Sequence, residues 1–174
     1  MLENGLPTRW LRSRARVVRR GYDSGLLDRL SVVLNHGDLL PSNIMVDRES
    51  WRLTGLVDWA EAEYLPVGMA LYGIEHLLGF FDNKRKVFVY YEQANTLRDI
   101  FWQRLKDEIP ELRDKAMWEA VFLSRDIGIL LWHGIAWDDG RLDRVVDYEN
   151  DTEELAYLES FLEGSPQGSR ESKL

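Results

Sequence analysis

The sequence predicts an α+β fold, mostly helical with one small β element, and three observations carry that expectation. Apolar runs on either side of a polar turn at Gly37 and Pro41 read as strand, loop, strand over residues 33–47. A third apolar run over 51–57, entered through a turn at 47–50, reads as a further strand. From Pro66 onward apolar side chains recur at three- and four-residue steps, which is the period of a helix.

The loop in the first of these stretches holds two unlike groups at a fixed offset. Asp38 offers a carboxylate and Asn43, five positions on, a neutral amide oxygen. That is the offset by which a phosphotransferase catalytic loop aims one group at an acceptor hydroxyl and another at a magnesium ion. The strand over 51–57 delivers Asp58 at its end, and three oxygen-bearing side chains suit a hard cation. Taken singly, Asp38 reads as a turn former, Asp58 as a strand-end cap and His36 as a hydrogen-bonded structural histidine. Turn chemistry alone does not require all three together.

His36-Gly37-Asp38-Leu39, Pro41, Asn43-Ile44 and Val57-Asp58-Trp59 resemble the C-terminal lobe of the aminoglycoside phosphotransferase and choline kinase-like family, relatives of the protein kinases. The resemblance implies a kinase-like lobe with Asp38 as catalytic base, Asn43 and Asp58 as magnesium ligands, and His36 as a brace for the loop. It further implies ATP and Mg2+ as cofactors and a hydroxyl-bearing small molecule as acceptor. Glu61 and Glu63 stand near enough in sequence to Asp58 to add a metal ligand, or else to cap the next helix or face water. Many relatives carry an Asp in the first helical turn after the equivalent of Pro66. Here that neighbourhood reads Gly68-Met69-Ala70-Leu71-Tyr72-Gly73.

A chain of 174 residues is enough for one domain, read here as 1–163 with a polar tail over 164–174. Seven Trp, seven Tyr and six Phe imply a packed interior or an apolar partner surface. Cysteine is absent, which excludes disulfides, thiol catalysis and cysteine zinc sites. His36, His76 and His133 look scattered, so a histidine-rich metal site is not expected. A net charge of -8 disfavours nucleic acid and suits a cationic small substrate, though equally a plain solvated surface.

Residues 1–30 are rich in arginine and read as a helix broken at Gly21 and Gly25, with its arginines solvated or near phosphates. Further helices are expected over 71–78, 84–106, 111–137 and 153–162. The third is apolar nearly all round, but Arg125 and Asp126 interrupt it, so no membrane span is expected and His133 reads as a core or rim histidine. The tail ends in Ser172-Lys173-Leu174, the peroxisomal import address, which implies recognition by the import receptor.

About 35 residues precede His36, and they read as helix rather than as the lysine-bearing sheet that holds nucleotide in this family. The expectation is therefore a C-terminal lobe without its nucleotide lobe: a metal and acceptor half needing that lobe from a separate chain or from sequence lost by truncation, or alternatively a non-catalytic binding module. A bare docking face would also favour self-association.

Overall fold

The computed structural model describes residues 1–138, 140–141 and 144–164. The expected import address and the rest of the tail after Gly164 lie outside the described residues. The fold is α+β: about half helix, with small antiparallel sheets.

Helices α1 (Leu2–Gly5) and α2 (Arg9–Asp23) open the chain. Thr8 caps α2 by accepting a hydrogen bond from the Leu11 amide at 3.1 Å, satisfying one of the orphan donors of its first turn. Leu11, Arg14, Ala15 and Val18, at helical spacing, form its buried face. Arg14 corrects the expectation of solvated arginines: it is buried and paired with Asp126 at 2.8 Å. Arg12 and Arg16 are also engaged, donating to carbonyls of the preceding segment.

Three two-stranded sheets follow where a single β element was expected. Strand β1 (Val32–Asn35) pairs with β4 (Glu63–Pro66), β2 (Ile44–Val46) with β3 (Leu53–Leu56), and β5 (Gly79–Asp82) with β6 (Val87–Tyr90), all antiparallel. Strand β4 was not anticipated, and the expected helix over 71–78 shrinks to α3 (Gly73–Leu77). The expected helix over 84–106 begins only at Ala94. Residues before it form the β5–β6 hairpin, whose turn is held by the Asp82 carboxylate accepting from the amides of Lys84 and Arg85. Phe81 faces Phe88 across the ladder, and aromatic and β-branched pairs suit a pleated surface better than a helix.

Helix α4 (Ala94–Glu108) leads through a short turn at Pro110 into α5 (Lys115–His133), capped by Asp114, and α6 (Thr152–Glu163) closes the described chain. Val18, Ile129, Leu130, Leu155, Leu158 and Phe161 belong to one core shared by α2, α5 and α6. A second forms around Trp102, Leu112, Val121 and Phe122, with Trp118 packed edge-on to Trp102. Among the described residues no helix is long and apolar enough to cross a membrane.

The polar break in α5 is an internal joint. Arg125 donates to Glu75 at 2.8 Å and to Asp126 at 3.1 Å, Arg98 reaches Glu75 at 2.7 Å, and the Tyr90 hydroxyl donates to the same carboxylate at 3.0 Å. Glu75 is fully buried, so these donors are what makes its charge tolerable. One network thereby ties α2, α3, β6, α4 and α5 together and fixes α3 beside the loop it supports.

Candidate functional site

The catalytic-loop candidates sit on a frame of backbone hydrogen bonds. Asn35, at the end of β1, donates through Nδ2 to the carbonyls of Val33 at 2.9 Å and Leu65 at 3.1 Å, locking the loop entrance to β4. His36 Nε2 lies 2.9 Å from the Val57 carbonyl oxygen, and its ring packs on Trp59 with centroids 4.6 Å apart. Gly37 adopts φ 84°, and a Cβ there would run into the Glu61 carbonyl, so both conformation and space demand glycine. The loop then turns through Pro41 to Asn43.

Asn43 is the hinge of the arrangement. Its Nδ2 donates to the Asp38 carboxylate and to the Asp38 carbonyl, both at 2.9 Å, so its two amide hydrogens are turned toward Asp38. Its Oδ1 has only a long contact of 3.4 Å from the Ser42 hydroxyl. Its own carbonyl accepts from the Val57 amide at 3.0 Å, extending the β2–β3 ladder by one step. Asp58 comes next in the chain, exposed and at φ 61°. The left-handed backbone is uncommon for a non-glycine residue, and Asp tolerates it better than most. Among the described residues, no hydrogen bond or ion pair occupies the Asp58 carboxylate.

These donors fit magnesium. An amide oxygen with its N–H groups turned away and an unpartnered carboxylate are hard oxygen ligands, and Mg2+ in phosphotransferase sites takes one or two protein ligands plus phosphates and water. Among the described residues no group of three or more His, Asp or Glu side chains could hold a metal by itself.

The helical Asp missing after Pro66 leaves the loop's support to other groups. The Tyr72 hydroxyl donates to the Gly37 carbonyl at 3.0 Å, and its phenol is raised in pKa by burial and by the nearby Asp38 charge. Glu63 lies in β4 opposite Asn35, and Glu61 reaches the edge of a cavity.

That cavity, about 590 Å3, opens beside the loop between α5, α6 and the segment after α5. Leu40 and Glu61 lie at its loop side, Trp132, Trp137 and Tyr157 supply aromatic wall, and Glu153 and Glu154 add acid. Its polar floor is His76 and His133, whose ring centroids are 5.5 Å apart. Burial pushes His133 down to about 3, helped by neighbouring His76. Burial likewise pushes His76 down to about 4, against the Asp38 and Glu75 charges that favour its protonation. Both rings are therefore neutral near pH 7. The two histidines expected to be scattered are neighbours. No periodicity announces the meeting of residues 57 positions apart, and only the polarity of His133 within an apolar helix hinted at a role.

The loop holds Asp38 and Asn43 in contact, and its hydrogen bonds to Val57 place Asp58 next along the chain from them. Residues 5–74 match the model of the Phosphotransferase enzyme family, and over that stretch the chain is aminoglycoside phosphotransferase-like. An uncharacterized protein of Bacillus subtilis (strain 168), YcbJ, is 31% identical over 80 residues, which are 46% of this chain and 24% of that protein. The match thus spans about a quarter of that relative's length. No solved structure was found to match the chain.

Proposed function

We propose that this phosphotransferase-family chain carries the acceptor-activating and magnesium-holding part of an ATP-dependent kinase acting on the hydroxyl group of a small molecule. The observation that carries the reading is the Asn43 side chain, donating to Asp38 with its N–H groups while its oxygen stays available, beside an Asp58 tethered through Val57. Asp38 accepts the acceptor's hydroxyl proton, and Asn43 holds that carboxylate in aim. His36 and Tyr72 hold the loop backbone. Asn43 and Asp58 would hold magnesium, which when bound neutralises charge on the nucleotide's phosphates. The cavity seats the acceptor, and Glu61, Glu153 and Glu154 in its lining, which holds no lysine or arginine among the described residues, favour a cationic or neutral molecule over an anionic one.

The residues ahead of β1 are helical, so a lysine-bearing nucleotide lobe would come from another polypeptide segment or chain. Val32, Leu34, Tyr64, Trp51 and Leu53 are exposed on the small sheets and offer apolar surface for such a lobe or for a second copy. The same helical lead-in favours a second reading, a non-catalytic module that keeps the site but binds no nucleotide.

Titration of the chain with Mg-ATP, followed by tryptophan fluorescence and thermal unfolding, separates the two. A magnesium-dependent shift that disappears in Asp58→Asn supports the kinase reading. No response to magnesium or nucleotide, alone or together, overturns it.

A further inference from the structure

Strand β1 pairs with β4 on one side and leaves its other edge open. The Val67 amide donates to the Ser31 carbonyl at 2.9 Å, and Val32, Val33, Leu34 and Asn35 then stand opposite Pro66, Leu65, Tyr64 and Glu63. Hydrogen bonding alternates along an antiparallel ladder, so Ser31, Val33 and Asn35 point their backbone groups at β4, while Val32 and Leu34 turn theirs to the open side. Proline opposite Val32 agrees with this, since it has no N–H to offer. The side chains are exposed as well, Val32 by 61%, Val33 by 37% and Leu34 by 52%. Sheet edges are normally blunted by charge, proline or a bulge. Strand β4 carries Glu63 and Pro66, and β2 has an irregular register between Met45 and Val46. Strand β1, which reads Val-Val-Leu-Asn, has none of these.

We propose that the open edge of β1 pairs antiparallel with β1 of a second copy, about a two-fold axis at Val33, joining the two small sheets in the order β4–β1–β1–β4. The occupant follows from the order of residues along the strand. Turned end for end about Val33, the strand sets Val32 opposite Leu34 and Ser31 opposite Asn35 of the second copy, so apolar meets apolar and polar meets polar, as a closed isologous interface requires. Val32 and Leu34, whose amides and carbonyls face the edge, become the hydrogen-bonded pairs. Val33 meets its own copy in the close, non-hydrogen-bonded position, where β-branched side chains pack well. No charged residue lies between Ser31 and Asn35 to oppose itself across the axis. A strand of four residues makes a small interface, so the association is weak and concentration-dependent. The pairing goes beyond the phosphotransferase reading and does not rest on it.

Sedimentation of the chain from micromolar to near-millimolar concentration is expected to show monomer giving way to dimer. Amide hydrogen exchange at the two ends of that range reads the register: the Val32 and Leu34 amides should slow about tenfold in the dimer, while those of Val33 and Asn35, already turned to β4, change little. Val32→Lys combined with Leu34→Lys sets like charges opposite each other across the axis and should leave a monomer. Val32→Lys combined with Leu34→Glu sets each new lysine opposite a new glutamate of the other copy and should restore the dimer. Both positions are more than half exposed, and circular dichroism establishes that each variant is folded. A monomer at every concentration, which would assign the edge to another polypeptide, overturns the proposal. So does a dimer that survives the paired lysines, or a folded lysine–glutamate variant that stays monomeric. None of these readouts involves magnesium or nucleotide, so their failure is distinct from a failure of the phosphotransferase reading.

Discussion

His36 grips Val57: its Nε2 lies 2.9 Å from the Val57 carbonyl while the Val57 amide donates to the Asn43 carbonyl at 3.0 Å. One residue is thus held from both sides by the loop, and Asp58, the next in the chain, inherits that position. Replacing His36 with Ala should cost roughly 1–2 kcal/mol of stability, measurable in a urea titration. It should also weaken the magnesium response, because Asp58 loses its register. His36→Gln, whose amide can donate to the same carbonyl, should recover part of both. An unchanged urea midpoint in His36→Ala would show that the contact does not brace the loop.

Asn43 accommodates Asp38 because it presents hydrogens to a carboxylate. Asn43→Asp keeps the size and places a second negative charge there. We expect a loss of about 1–3 kcal/mol at pH 7, shrinking as the pH falls and one carboxyl gains a proton that both can share. A loss that stayed constant with pH would point to packing rather than charge.

Glu75 carries the internal joint. Glu75→Ala leaves Arg125 buried without its main partner and frees Arg98, and should destabilise by about 3–5 kcal/mol. Calorimetry of Glu75→Ala beside Glu75→Gln checks this, the amide being the milder change. Equal melting temperatures for Glu75→Ala and the parent chain would dispose of the joint.

Acid should unfold the chain through its paired histidines. Their folded pKa values, about 4 for His76 and about 3 for His133, lie below the ordinary 6.5. Between those limits the unfolded chain binds more protons, so the contribution is complete above pH 6.5 and is lost progressively as the pH falls toward 4 and 3. The expected loss is on the order of a few kcal/mol in all. Unfolding midpoints from pH 7 to pH 4 in the parent chain and in His133→Phe measure it. A parent chain no more acid-sensitive than the variant would contradict the assignment.

Much of the loop was legible in the chain itself. Asp38, Asn43 and Asp58 were singled out by offset and by their place at strand ends, and the structure brings Asn43 onto Asp38 and ties the Asp58 segment to Asn43 through Val57. The β5–β6 hairpin was not legible. Val87, Tyr90, Tyr91 and Ala94 also repeat at three- and four-residue steps, and only the turn at Asp82 with the pairing of Phe81 and Phe88 decides for strands. Strand β4 was hidden for a related reason, since its four residues matter only as the partner of β1.

Local order alone determined the turn that carries Asp38 and Asn43: they are five residues apart, and a glycine and a proline leave the backbone few ways to carry them. Tertiary packing alone decided that Arg14 meets Asp126, 112 positions away, and that His76 and His133 share one cavity floor. Apolar periodicity says which face of a helix is buried, but not which buried polar group will find which partner. That depends on how α2, α3, α5 and α6 settle against one another, because the cost of burying an uncompensated charge or nitrogen is weighed only once the elements have met.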